Sequence, residues 1–113
     1  MRIIYDSISI EELKKMAEKM FGNLVKAVVD IEKGIIVVDL DMHADAEAFL
    51  LEQGSQQKDL WGINIYPHVA DEDWIEFDSI INIRPSFGNR SRGVDDIEIQ
   101  ARIRAIIVTL VKR

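Results

Sequence analysis

Three arginines stand within one short stretch, Arg84-Pro85-Ser86-Phe87-Gly88-Asn89-Arg90-Ser91-Arg92-Gly93. A guanidinium is a rigid fork of donors matched to carboxylate and phosphate, so arginines interleaved with Asn89, Ser91 and glycine make the chemistry of an anion site. The strand-like run before them adds polar groups. Period-two alternation sends Glu76, Asp78, Asn82 and Arg84 to one side, and a hairpin with residues 59–66 brings Asn64 near Glu76. The expected ligand-binding set is Asn64, Asn82, Arg84, Asn89, Arg90, Ser91 and Arg92, and the expected partner is a small molecule bearing phosphate or carboxylate.

The same surface supports two other readings. Glu76 and Asp78 could move protons for phosphoester or RNA cleavage, with the arginines stabilising charge. Alternatively, both acids pair with Arg90, Arg92 or Arg102 and hold the loop in place, in a protein of purely structural or assembly function. Known phosphate cradles do not occur: no glycine-lysine pair precedes Ser or Thr, and no three glycines open a helix. Asp95 and Asp96 occupy the start of the last helix and compete with an anion for its positive end, so side chains would have to hold the ligand.

A second acidic pattern runs Asp39-Leu40-Asp41-Met42-His43-Ala44-Asp45-Ala46-Glu47. It begins like a calcium loop, then places Ala44 where the loop needs glycine and Leu50 where it needs the closing glutamate. It is read as a solvated strand end with acids at a helix start, and not as a metal site; an ion, if bound, would draw on Asp39, Asp41 and His43. No cofactor pattern is present. His43 and His68 have no nucleophile beside them, and no serine sits in a nucleophile elbow. Trp61 and Trp74 read as core or edge packing, not base-stacking platforms.

The elements that must position these groups follow from periodicity. Ser9-Ile10-Glu11-Glu12 is a capping box opening a helix with Ile10, Leu13, Met16, Ala17, Met20 and Phe21 on one face, ended by Gly22. Residues 25–41 read as a hairpin pairing 31 with 36, 29 with 38 and 27 with 40, which gathers Ile31, Ile36, Val29, Val38, Ala27 and Leu40 on one face. A short helix is expected at 44–53, then a second hairpin of 59–66 with 74–84. The last helix follows Asp95-Asp96-Ile97-Glu98 and buries Ile99, Ile103, Ile106, Ile107 and Leu110. The order, after a short N-terminal strand or extended segment, predicts a single α+β domain over 1–113: two hairpins forming a four-stranded, mostly antiparallel sheet with about three helices on one face.

Charge divides at residue 84. Residues 1–83 carry a net of −10 and residues 84–113 a net of +4, making the −6 of the whole chain. Net acidity opposes broad nucleic-acid binding and leaves only a local contact through 84–104 open. No apolar run approaches a membrane span and no secretory signal precedes the first helix, so a cytoplasmic location is expected. With no cysteine, thiolate and disulfide chemistry are excluded. The charge split leaves room for a homodimer. One held by that split would dissociate as salt rises, whereas a persistent one would point to an apolar sheet face bearing Val28, Ile35 and Val37.

Three stretches together carry a resemblance: His43-Ala44-Asp45 with Leu50 to Ser55, Asp59 to Pro67, and Glu76 to Ser79 through Asn82 to Pro85 and on to Gly88 to Arg92. The set resembles a family of small archaeal and bacterial proteins classed only as a domain of unknown function. The resemblance spans nearly the whole chain and implies no activity.

Overall fold

A computed structural model describes residues 1–113. Its main sheet has five strands: β1 (Arg2–Ile4), β3 (Val25–Asp30), β4 (Ile35–Val38), β5 (Leu60–Ile65) and β6 (Ile75–Glu76), in the order β1-β4-β3-β5-β6 and antiparallel throughout. Two further short strands, β2 (Ile8–Ser9) and β7 (Val111–Lys112), pair in parallel. The helices are α1 (Ile10–Met20), α2 (His43–Glu52) and α3 (Ile97–Leu110). No helix is long and apolar enough to cross a membrane.

The α+β class is as expected, with one strand more than the four foreseen. The extra strand is β1, whose three residues pair with Ile36–Val38. The first hairpin keeps its faces but sits two residues from the expected register, with Val29 opposite Ile36 instead of Val38. Asp30 causes the shift. Its buried carboxylate accepts the backbone N–H groups of Glu32 and Lys33 at 3.0 Å each, tightening the connection at Ile31–Gly34, where Gly34 takes φ +68°. A shift of two preserves side-chain alternation, so the core faces survive.

The helices are not all on one face. Ile10, Leu13 and Ala17 of α1, with Ile103, Ile107 and Leu110 of α3, cover the side bearing Ala27, Val29, Ile36, Val38, Ile63 and Ile65. Ala46 and Leu50 of α2 cover the other, against Val28, Ile35, Val37 and Leu60. The apolar sheet face that could have joined two subunits is therefore already buried. Asp39 makes the change of side: at φ 64° it breaks the alternation and sends Leu40 to the α2 side, away from the face expected for it.

The second hairpin is shorter than expected. β6 stops at Glu76, and residues 80–82 and 85–87 form single 3₁₀ turns where a strand to residue 84 was foreseen.

Candidate functional site

Where β6 ends, β5 still presents backbone groups on its edge. The side chain of Asn82 takes over the missing strand's pairing: Oδ1 accepts Gly62 N–H at 2.8 Å, and Nδ2 donates to the Gly62 carbonyl and the Arg92 carbonyl, each at 2.9 Å. This close approach requires glycine, because a Cβ at residue 62 would lie 2.5 Å from Ser79 Cβ. Asn89 then ties the loop together. Its Nδ2 donates to the carbonyls of Asn82 (2.7 Å) and Gly93 (2.9 Å), and its Oδ1 accepts Asp95 N–H at 2.8 Å. Asp95 in turn accepts Arg90 N–H at 2.9 Å and Ser91 Oγ at 2.5 Å. The Ser91 hydroxyl and the Arg90 amide hold the Asp95 carboxyl below its ordinary range.

The three loop arginines take separate places. Arg84 is buried, its guanidinium 4.4 Å from the centre of the Trp61 ring and donating to the Gln57 carbonyl. Burial pulls its pKa down, against the attraction of Glu47 and Asp59. Arg92 binds Asp78 through Nε at 2.6 Å on the surface. Arg90 is exposed, and only its backbone joins the loop bonds.

Of the three, Arg92 lines a hollow of about 240 Å³ between the first turn of α2 and the segment Asp78–Ile81. Lys26 and Asn64, paired directly across β3 and β5, form its floor, and His43 its side. Asn64 is 7 % exposed; its Nδ2 donates to Glu76 Oε1 at 2.9 Å, while its buried Oδ1 has no partner. Glu76 also accepts the Tyr66 hydroxyl at 3.0 Å on the same oxygen, so Oε1 is committed within the protein. Burial, and then this bond, raise the Tyr66 pKa.

The imidazole of His43 is fixed by geometry. Its Nε2 lies 2.7 Å from the Ile63 carbonyl, which can only accept, so Nε2 carries the proton. In the neutral ring the other nitrogen, Nδ1, is then an acceptor. Burial lowers the pKa, and the charges of Lys26 and Arg92 act the same way, whereas the Ile63 bond and Asp78 oppose them. The first turn of α2 has no side-chain cap, because Met42 stands at the N-cap and offers no acceptor.

The lowered His43 pKa gives a signed expectation. Below the ordinary 6.5 the unfolded chain binds the proton more readily than the folded one, so this contribution is complete above pH 6.5 and is lost as pH falls. Urea melts across this range should show wild type losing stability relative to His43→Gln, whose amide can still donate to Ile63. A pH-independent difference between the two would exclude the effect.

A family model described as a protein of unknown function (DUF5674) matches residues 2–110. The chain belongs to that family. No curated protein and no solved structure matches it. The family carries no stated activity, so chemistry must be read from side chains.

Placed in this member of the family, the expected ligand set separates. Arg92 and Asn64 meet in the hollow, Asp78 beside them. Asn82, Asn89 and Ser91 spend their polar groups on the loop itself, and Arg84 is stacked away. Asp39 and Asp41 line a different, wider groove with Asp45 and Glu52, and His43 faces the hollow instead. No three His, Asp or Glu side chains come together as metal ligands. Lys26 and His43 are the site residues that sequence reasoning did not connect with Asn64. The signal for Lys26 was its place in the strand pairing with β5; His43 offered none, since its position depends on the side of the sheet α2 covers.

Proposed function

We propose that the protein binds a small molecule bearing phosphate or carboxylate in the hollow between α2 and Asp78–Ile81. The observation that carries this reading is the convergence there of Lys26, Arg92 and the uncapped first turn of α2; the unpartnered Asn64 Oδ1 is an acceptor and suits a hydroxyl of the ligand, not its anionic group. Arg92 gives Asp78 only its Nε–H, which leaves the terminal nitrogens as donors for an anion. Lys26 rests over the Phe21 ring, 4.9 Å from its centre, with no acid paired to it. Backbone N–H groups at the start of α2 add donors and the positive end of the helix dipole.

Titration with inorganic phosphate, sugar phosphates and dicarboxylates, followed by amide chemical shifts, tests this reading. Shifts should concentrate at Met42–Asp45 and at Arg92. Arg92→Ala should weaken binding roughly tenfold or more, as expected for loss of a charged hydrogen bond, with Arg90→Ala close to wild type. Equal losses in both variants, or no shifts with any anion, would remove the proposal.

One observation favours a catalytic use of the same hollow. A neutral imidazole anchored through Nε2 and presenting Nδ1 is the form of a general base, and His43 is better placed for that task than Glu76, which Asn64 and Tyr66 occupy. Phosphoester cleavage that His43→Gln abolishes while phosphate affinity persists would distinguish enzyme from binder.

A further inference from the structure

Helix α3 is apolar on two opposite sides. Ile103, Ile107 and Leu110 face the core. The solvent side carries Ile97, Ala101, Ala105 and Val108, spaced i, i+4, i+8 and i+11 as one stripe at 3.6 residues per turn. Ile97 is 78 % exposed and Val108 62 % exposed, far more than an isolated helix face of β-branched residues needs to be. Polar residues separate the two sides, so the outer stripe is a distinct apolar strip on the surface, the kind of feature that marks a site of association.

We propose that this outer stripe is the interface of a homodimer in which two α3 helices pack antiparallel about a two-fold axis near Ala101 and Ala105. Three features point to a second copy as the occupant. Charge comes first: α3 begins with Asp95, Asp96 and Glu98 and ends beside Lys112 and Arg113, so only antiparallel pairing sets each acidic end against a basic one. The two alanines at the centre let the backbones approach closely. Shape completes the match. Beside Val108 lies a shallow hollow of about 310 Å³ walled by Trp74, Val111 and Arg113, and the antiparallel arrangement brings the projecting Ile97 of the second copy over it. An isologous contact of this kind repeats knob and hollow at both ends. The proposal is independent of the anion site, which lies with α2 on the other face of the sheet.

Sedimentation equilibrium at micromolar concentration tests it. Wild type should be dimeric and remain so in molar salt, because the seam residues are apolar and Arg104 beside them is turned to the Glu72 carbonyl and the Phe77 ring. Ala101→Glu, which places a charge at the axis, should weaken association tenfold or more with an unchanged circular dichroism spectrum. The chain has no cysteine, so Glu98→Cys and Thr109→Cys each accept one nitroxide. Mixed copies should broaden each other's spectra more than either variant alone, since the antiparallel axis brings residue 98 of one copy near 109 of the other. A monomeric wild type, a dimer indifferent to Ala101→Glu, or broadening greatest between like-labelled copies would each overturn the proposal.

Discussion

Replacing Asn82 by alanine is expected to cost about 3 kcal/mol of folding stability, a large share of the roughly 5–15 kcal/mol that holds a domain of this size together. The side chain is fully buried and serves Gly62 N–H, the Gly62 carbonyl and the Arg92 carbonyl at once. Alanine leaves the two Gly62 groups without a partner, while the Arg92 carbonyl keeps the Ser79 N–H; each orphaned group costs about 1–3 kcal/mol, reduced where water can enter. The damage also spreads, because the Asn82 carbonyl is where Asn89 begins its own set of bonds. Asn82→Asp should be nearly as harmful, since a carboxylate can accept from Gly62 but cannot donate to its carbonyl. Urea unfolding measures both variants. A loss below about 1 kcal/mol for alanine would show that the β5 edge does not depend on this amide.

Gly62→Ala is expected to lose stability and to distort the hollow proposed as an anion site. The added Cβ would meet Ser79 Cβ at 2.5 Å and Ser79 Oγ at 2.6 Å. Ser79 cannot easily retreat: it is buried, its N–H is held by the Arg92 carbonyl at 2.9 Å, and its Oγ accepts Ile81 N–H. Overpacking of this type costs roughly 1–3 kcal/mol, against a smaller gain from restricting the unfolded chain. Relief must come from the segment Ser79–Ile81 moving off the sheet, and that segment is a wall of the hollow. Phosphate affinity should therefore fall in the fraction that stays folded, as read by titration below the melting temperature. Wild-type affinity in a destabilised Gly62→Ala would separate the hollow from the close approach beneath it.

Local signals announced the elements well. Ser9 caps α1 by accepting Glu12 N–H at 3.1 Å, as its capping box requires, and Asn64 does face Glu76 across β5 and β6. At α3 the cap is Asp96, one residue later than the pattern indicated, because Asp95 is drawn into the loop. What composition and periodicity could not carry were choices made between distant segments. Ile81 and Ile83 alternate like a strand, but Ile81 packs beneath α2 while Ile83 is exposed, because the carboxamide of Asn82 replaces strand pairing there. Arg84 looked like an exposed ligand group; its stacking on Trp61 joins residues 23 positions apart and leaves no local trace. Likewise nothing within α2 states which side of the sheet it covers, and that choice decides whether His43 meets Lys26 and Asn64 at all.

The parallel pair β2–β7 has a kinetic meaning. Ile8 lies beside Val111, so the contact closes nearly the entire chain into one loop, whereas α1 and the β3–β4 hairpin form from neighbours in sequence. Loop-closure entropy is paid before such a contact returns anything, which makes this clasp a late event in folding and an early one in opening. Contacts absent from the transition state govern how long a native molecule lasts more than how fast it forms. The lifetime of the fold is thus vested in two short strands, and the speed of its assembly in the helices and hairpin they enclose.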